Sequence, residues 1–144
     1  MIVSQILRDK GSAVLTIAPD ASAIEAVRIM NERRVGALVV RRGQGRLEGI
    51  ISERDIVIAL AEHGGAATER PVRLLMTPAE RLITCSPTDK VDRIMAVMTD
   101  RRVRHLPVIE GGRLAGIVSI GDVVKARLRE TLAEVEAMTA YVRG

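Results

Sequence analysis

A pattern stated twice along one chain leaves few ways to fold, and here the repetition covers most of the length. From Thr16 to Asp55 the chain reads T-I-A-P, a helical run, R-R-V-G-A-L-V-V, a glycine turn and L-E-G-I-I-S-E-R-D. From Thr84 to Asp122 it reads T-C-S-P, a helical run, R-R-V-R-H-L-P-V-I, a glycine turn and L-A-G-I-V-S-I-G-D. The offset is 68 residues before the turn (Thr16 to Thr84) and 67 after it (Asp55 to Asp122), so one residue is missing from the second loop. Two copies predict a closed pair of similar lobes with pseudo-twofold symmetry rather than a solenoid. A lobe of ~70 residues is marginal alone, so the repeats are expected to fold together.

Apolar residues make up 47% of the 144, yet there is no Trp, no Phe and one Tyr. The core must therefore be aliphatic, with little aromatic surface for stacking bases or sugars. No apolar run approaches the ~20 residues of a membrane span, and Met1-Ile2-Val3-Ser4 lacks the form of a signal peptide, so a cytoplasmic protein without membrane association is expected. Cys85 is the only cysteine, which excludes an internal disulfide or a thiolate cluster; it reads as a core residue. The net charge of +4 favours anionic partners without choosing among them.

Each repeat reads as strand, helix, strand, strand, helix. In the first, Val14–Ile17 is a short strand and Ser22 a helix N-cap. Ala23, Ile24, Val27 and Met30 mark one buried helical face, as Val91, Ile94, Met95 and Met98 do in the second copy. Hairpins follow, Ala37–Val40 with Leu47–Ile51 and Leu106–Ile109 with Leu114–Val118, and the next helices start near Ser52 and Ser119. Val3–Leu7 and Val72–Met76 read as matching lead-in helices. The last helix continues to Gly144 with Leu128, Leu132, Val135, Met138 and Val142 at helical spacing. That stripe either packs on the protein's own lobes or pairs with a second subunit; the second is favoured because the lobes look complete without it.

The strongest chemical signal is Gly49-Ile50-Ile51-Ser52-Glu53-Arg54-Asp55, repeated as Gly116-Ile117-Val118-Ser119-Ile120-Gly121-Asp122. A strand delivers a serine to a helix start and a carboxylate follows three residues on. By itself this is a capping box. The same package also suits a nucleotide, because helix N–H groups and a serine hydroxyl favour an anion while a carboxylate accepts hydrogen bonds from a vicinal diol. Arg102, Arg104 and His105 are candidates for phosphate; the first-repeat counterparts of the last two are Gly36 and Ala37, so the lobes are expected to offer unequal pockets. The Gly43–Gly49 segment has the wrong spacing and context for a dinucleotide fingerprint. With two histidines, no metal-ligand spacing and no nucleophile–base pair, neither a metal nor catalysis is expected.

These paired units, with T-x-x-P, R-V-x-x-L-x-V and G-I-[IV]-S-x-x-D, resemble a tandem cystathionine-β-synthase (CBS) domain pair, or Bateman module, over about residues 1–127. The resemblance implies an α/β fold of two β-α-β-β-α repeats with an extended C-terminal helix: residues 1–68 hold the first repeat with its lead-in helix and linker, 69–127 the second, and 128–144 the extension, a dimer contact. It also implies two clefts, each taking Ser-x-x-Asp from one repeat and base-lining strands from the other. One would use Ser52 and Asp55 with Leu82, Ile83, Arg104, His105 and Pro107; the other Ser119 and Asp122 with Val14, Leu15, Gly36 and Ala37. Ile50 and Ile117 would close the apolar sides. Val39 departs from the pattern where the second repeat has Pro107.

With no catalytic or transport domain attached, the expected function is a stand-alone, non-catalytic homodimeric sensor. It would bind an adenine nucleotide, AMP first and ATP or NAD(H) as variants, and signal to an unidentified regulated protein by a change of shape or assembly. A ligand-free dimerisation scaffold and a nucleic-acid-binding protein are the alternatives of another class. The missing aromatics and the lack of a recognition helix weigh against nucleic acid.

Overall fold

The structure, a computed structural model, describes residues 1–143. Gly144, to which the sequence reading carries the last helix, lies outside them. In chain order the elements are α1 (Val3–Lys10), β1 (Thr16–Ile17), α2 (Ala23–Arg33), β2 (Ala37–Val40), β3 (Gly49–Ser52), α3 (Glu53–His63), β4 (Thr77–Pro78), α4 (Val91–Arg101), β5 (His105–Glu110), β6 (Arg113–Ser119) and α5 (Ile120–Arg143). Short 3-10 turns cover Gly64–Glu69, Val72–Leu74 and Ala79–Arg81. The α/β class and both hairpins are as the sequence predicts. The first strand is shorter than expected, and the second lead-in is a 3-10 turn where the first is an eight-residue helix.

Local chemistry accounts for the element starts. Ser22 caps α2, its Oγ accepting from the Glu25 N–H at 3.3 Å. The helices α2 and α4 end on Arg34 and Arg102, both left-handed at φ 54° and 53°. Glycine usually takes this position, because a Cβ there is strained. The same non-glycine cap in both repeats marks it as part of the repeat's architecture.

The chain divides into two compact units that do not follow the repeats. One is Ala13–Ile83; the other joins residues 1–12 to those from Thr84 onward. Each lead-in thus belongs with the other repeat's strands. In the Ala13–Ile83 unit the sheet order is β1-β2-β3-β4, with β1 parallel to β2 and the other pairs antiparallel. Ile17, Ala26, Met30, Leu38, Val40, Ile51, Ile56 and Val72 form its core. In the other unit β5 and β6 pair antiparallel, and Cys85 bridges to Val108 in parallel. Its backbone also ties α1 to the second repeat, through Val3 N–H to the Asp89 carbonyl at 2.9 Å and Ser4 N–H to the Pro87 carbonyl at 2.8 Å.

The glycine of each G-I-[IV]-S strand explains why the lead-ins fit. A Cβ on Gly49 would stand 2.5 Å from the Thr77 carbonyl oxygen and 2.7 Å from Met76 Sδ; one on Gly116 would stand 2.8 Å from Leu7 Cδ2. Glycine inside a strand admits another segment at close range. At Gly49 the neighbour is backbone paired in β4, whereas at Gly116 it is the end of a flexible side chain. Gly49→Ala is therefore expected to destabilise by about 2–3 kcal/mol and Gly116→Ala by about 1 kcal/mol. Urea unfolding of the two variants checks the order; equal losses would show that the backbone approach at Gly49 is not what requires glycine.

Candidate functional site

The two Ser-x-x-Asp segments are built alike. In the Ala13–Ile83 unit Ala37 pairs with Ser52 and Val39 with Ile50 across the β2–β3 hairpin, and the Glu53 N–H donates to the Gly36 carbonyl at 3.0 Å. In the other unit His105 pairs with Ser119 and Pro107 with Ile117, and the Ile120 N–H donates to the Arg104 carbonyl at 2.8 Å. Each hairpin thus sets its serine at a helix start beside the residues that end the preceding loop. Both boxes close: Asp55 Oδ2 accepts the Ser52 N–H at 2.9 Å and Asp122 Oδ2 the Ser119 N–H at 2.9 Å, while the serine Oγ accepts the aspartate N–H in return. All four side chains are half-buried.

Around these boxes the units differ. Asp55 Oδ2 also accepts the Ser52 hydroxyl at 2.9 Å, and Oδ1 accepts a long bond, 3.4 Å, from the Thr77 hydroxyl. Asp122 instead meets a cation: Lys10 Nζ, at the end of α1, lies 2.7 Å from its Oδ2 and also donates to the Ile117 carbonyl at 3.0 Å. Burial opposes ionisation of Asp122, but the Lys10 and Ser119 hydrogen bonds and the Lys10 charge outweigh it, holding the carboxyl below its ordinary value. Thr77 and Lys10 both lie on the lead-ins that belong with the other repeat's strands.

The remaining predicted residues divide by unit. Val14, Leu15, Gly36, Leu82 and Ile83 are half-buried, and Ala37 and Ile50 buried, in the unit of Ser52 and Asp55. Arg102 and Arg104 are exposed, His105 and Ile117 half-buried and Pro107 buried in the unit of Ser119 and Asp122. The hairpins thus set each box beside strand residues of its own repeat, and Arg102, Arg104 and His105 belong to the same compact unit as Ser119 and Asp122. The Val39 departure has a visible effect: its N–H donates to the Leu15 carbonyl at 3.0 Å, a bond Pro107 has no hydrogen to make. Cys85 is buried, with its thiol pushed up to about 12 by burial and then by the Asp89 charge, which makes it an inert core residue.

Sequence reasoning missed Lys10 and Thr77. A lysine closing a helix reads as compensation for the helix dipole, and nothing in the motif points to a lead-in. The available signal was the strand glycine, which announces that a segment lies against it.

A family model described as "CBS domain" matches residues 3–62 and again 72–129. The chain belongs to the CBS domain family. It is a tandem CBS pair, and it is 38% identical over 148 residues to the mitochondrial CBS domain-containing protein CBSX3 of Arabidopsis thaliana, covering 99% of this chain and 72% of that one. Among solved structures it resembles a CBS-domain containing protein from Agrobacterium tumefaciens, at 43% identity and a TM-score of 0.83, over 88% of this chain and 99% of that one. The CBS domain pair of protein MJ0100, solved in complex with 5′-methylthioadenosine and S-adenosyl-L-methionine, aligns at 25% identity and a TM-score of 0.76, over 90% and 98%. Among the described residues no helix is long and apolar enough to cross a membrane, and no His/Cys/Asp/Glu group is placed to hold a metal ion.

The Lys10–Asp122 pair gives this CBS pair a pH signature. A carboxyl held low in the folded state adds stability above its unfolded pKa, and that stability is lost as pH falls through the folded value. With both side chains partly solvated, the pair is worth about 0.5–1 kcal/mol. Lys10→Met is expected to lower the Tm by about 1–4 °C at pH 7, with the gap to the parent closing as Asp122 protonates below its ordinary range. Thermal unfolding from pH 7 down to about pH 2 checks it; a gap independent of pH would assign the loss to packing of the lysine stem.

Proposed function

We propose that this CBS pair is a non-catalytic regulatory module that binds an adenine nucleotide, AMP first, at its Ser-x-x-Asp boxes. It acts in the cytoplasm as a homodimer, passing the signal to a protein partner by a change of shape or assembly. The observation that carries the reading is the duplicated box at a helix start. Asp55 and Asp122 hold their serine amides through Oδ2, so Oδ1 retains capacity for ribose hydroxyls, and the helix N-termini with Ser52 and Ser119 favour phosphate. The MJ0100 complex, with two adenosine-containing ligands on a related pair, supports the ligand class. Lys10 favours phosphate at the Ser119 box, and Arg102, Arg104 and His105 supply further cationic or hydrogen-bonding groups for phosphate, which keeps ATP and NAD(H) as readings of the same kind of site.

The test is thermal unfolding of nucleotide-stripped protein against AMP, ADP, ATP, NAD, NADH and S-adenosylmethionine, with Asp55→Ala and Asp122→Ala in parallel. Because each aspartate also caps a helix, the quantity compared is the shift each ligand adds, not the starting Tm. A ligand at ~100 times its Kd adds about 2.7 kcal/mol per site, a shift of roughly 5–10 °C for this size. Loss of that shift in one variant identifies the working box. Folded, empty protein that responds to none of the six would overturn the reading and leave a ligand-free scaffold.

A further inference from the structure

The unabsorbed feature of this molecule is the second half of α5. The helix runs 24 residues, about 36 Å, but only Val123 and Ala126 are buried. Arg127 and Arg129 tether its first half, through Asp92 at 3.4 Å and Asp9 at 3.3 Å. From Thr131 to Arg143 every residue is exposed. Along this stretch and the turns before it Val124, Leu128, Leu132, Val135, Met138 and Val142 follow one another at intervals of three or four and remain 43–82% exposed. The stripe therefore does not pack on the protein's own surface, the first of the two sequence readings. A free helical segment this short is marginal in water and is stabilised chiefly by burying an apolar face.

We infer that this stripe pairs with the same stripe of a second copy, the two α5 helices lying antiparallel across a twofold axis near Leu132 and Val135. The charge order selects both occupant and direction. Lys125, Arg127 and Arg129 precede the acidic Glu130, Glu134 and Glu136. Leu128, Val135 and Val142 recur every seven residues with Leu132 between them, so Arg129 and Glu136, each one step beyond such a position, flank the seam. Antiparallel copies bring Arg129 of each toward Glu136 of the other; parallel copies set the acidic stretches side by side. The Asp9 contact leaves other Arg129 N–H donors for this second partner. Acidic residues on the exposed half disfavour an anionic lipid surface as the occupant. The inference gives the proposed homodimer its surface and is independent of ligand chemistry.

Sedimentation equilibrium of the full chain tests it, with Leu132→Glu/Val135→Glu, Arg129→Glu, Glu136→Arg and the double reversal Arg129→Glu/Glu136→Arg. The parent should dimerise, and the apolar double variant should be monomeric at the same concentration, losing at most the helical signal of the Thr131–Arg143 segment in circular dichroism and keeping an unchanged ligand shift. Each single reversal should weaken the dimer roughly tenfold or more, and the double reversal should recover most of it. A parent that stays monomeric, or a dimer untouched by the apolar variant, overturns the interface. Reversals without effect, or without rescue, overturn the antiparallel arrangement. Since Leu132 and Val135 are exposed and lie ten or more residues beyond Asp122 on α5, loss of dimer in the apolar variant with the ligand shift retained separates this surface from the nucleotide reading.

Discussion

Close approach at two strand glycines is the constraint on which the rest of the CBS pair depends. Because Gly49 and Gly116 carry no side chain, Thr77 and Leu7 can lie directly over them. These contacts seat each lead-in against the strands of the other repeat. That exchange makes one of the two compact units discontinuous in sequence, and it decides what stands beside each aspartate. Lys10 reaches Asp122 only because α1 is anchored at the second repeat through Val3 and Ser4, and Thr77 reaches Asp55 only because β4 pairs with β3. The packing of a single hydrogen-sized side chain thus propagates to the electrostatics of the candidate site.

Duplication has accordingly produced two boxes of the same backbone geometry and different charge. The hairpin register, serine cap and returning carboxylate agree between the units. Those features follow from local rules, and each copy obeys them independently. The differences in partners lie beside the box: a hydroxyl or an ammonium near the carboxylate, and a valine that donates or a proline that cannot. An ammonium 2.7 Å from Asp122 sets a positive charge beside that carboxylate, where Asp55 meets the Ser52 and Thr77 hydroxyls. Under the proposed reading, a ligand meeting the first box would be judged mainly on its hydroxyls and one meeting the second also on its anionic groups.

What could be read from the sequence follows the same division. Ser22, Ser52 and Ser119 announce helix starts because a cap is a contact over three residues, and both hairpins are announced by short apolar runs on either side of a glycine turn. Helical spacing marked core residues at Met30, Ile94 and Met98, but Val27, placed on the same buried face, is exposed, and Ala26 is buried in its stead. The exchange of lead-ins was not, since Val3-x-x-Ile6-Leu7 and Val72-x-Leu74-Leu75-Met76 state that a face is apolar without naming what it covers. Arg34 and Arg102 were equally silent: they stand where a glycine would have signalled a left-handed cap. Val14–Leu15 reads as strand yet only Thr16–Ile17 pairs residue to residue with β2, Leu15 joining through its carbonyl, which accepts the Val39 N–H.

The same reasoning bears on α5, where the sequence offered two readings of one stripe. Periodicity fixes that Leu128, Leu132, Val135 and Val142 share a face, but burial is a property of the assembly. Exposure of that face within the chain removes one reading and raises the energetic demand on the other, since apolar surface in water disfavours an extended helix that local propensity alone would leave frayed. Charge then supplies what apolar spacing lacks, a direction. A basic segment followed by an acidic one sets like charges together when laid parallel and opposite charges together when reversed, so the helix that extends beyond the second repeat carries in its own sequence the symmetry of the contact it would make.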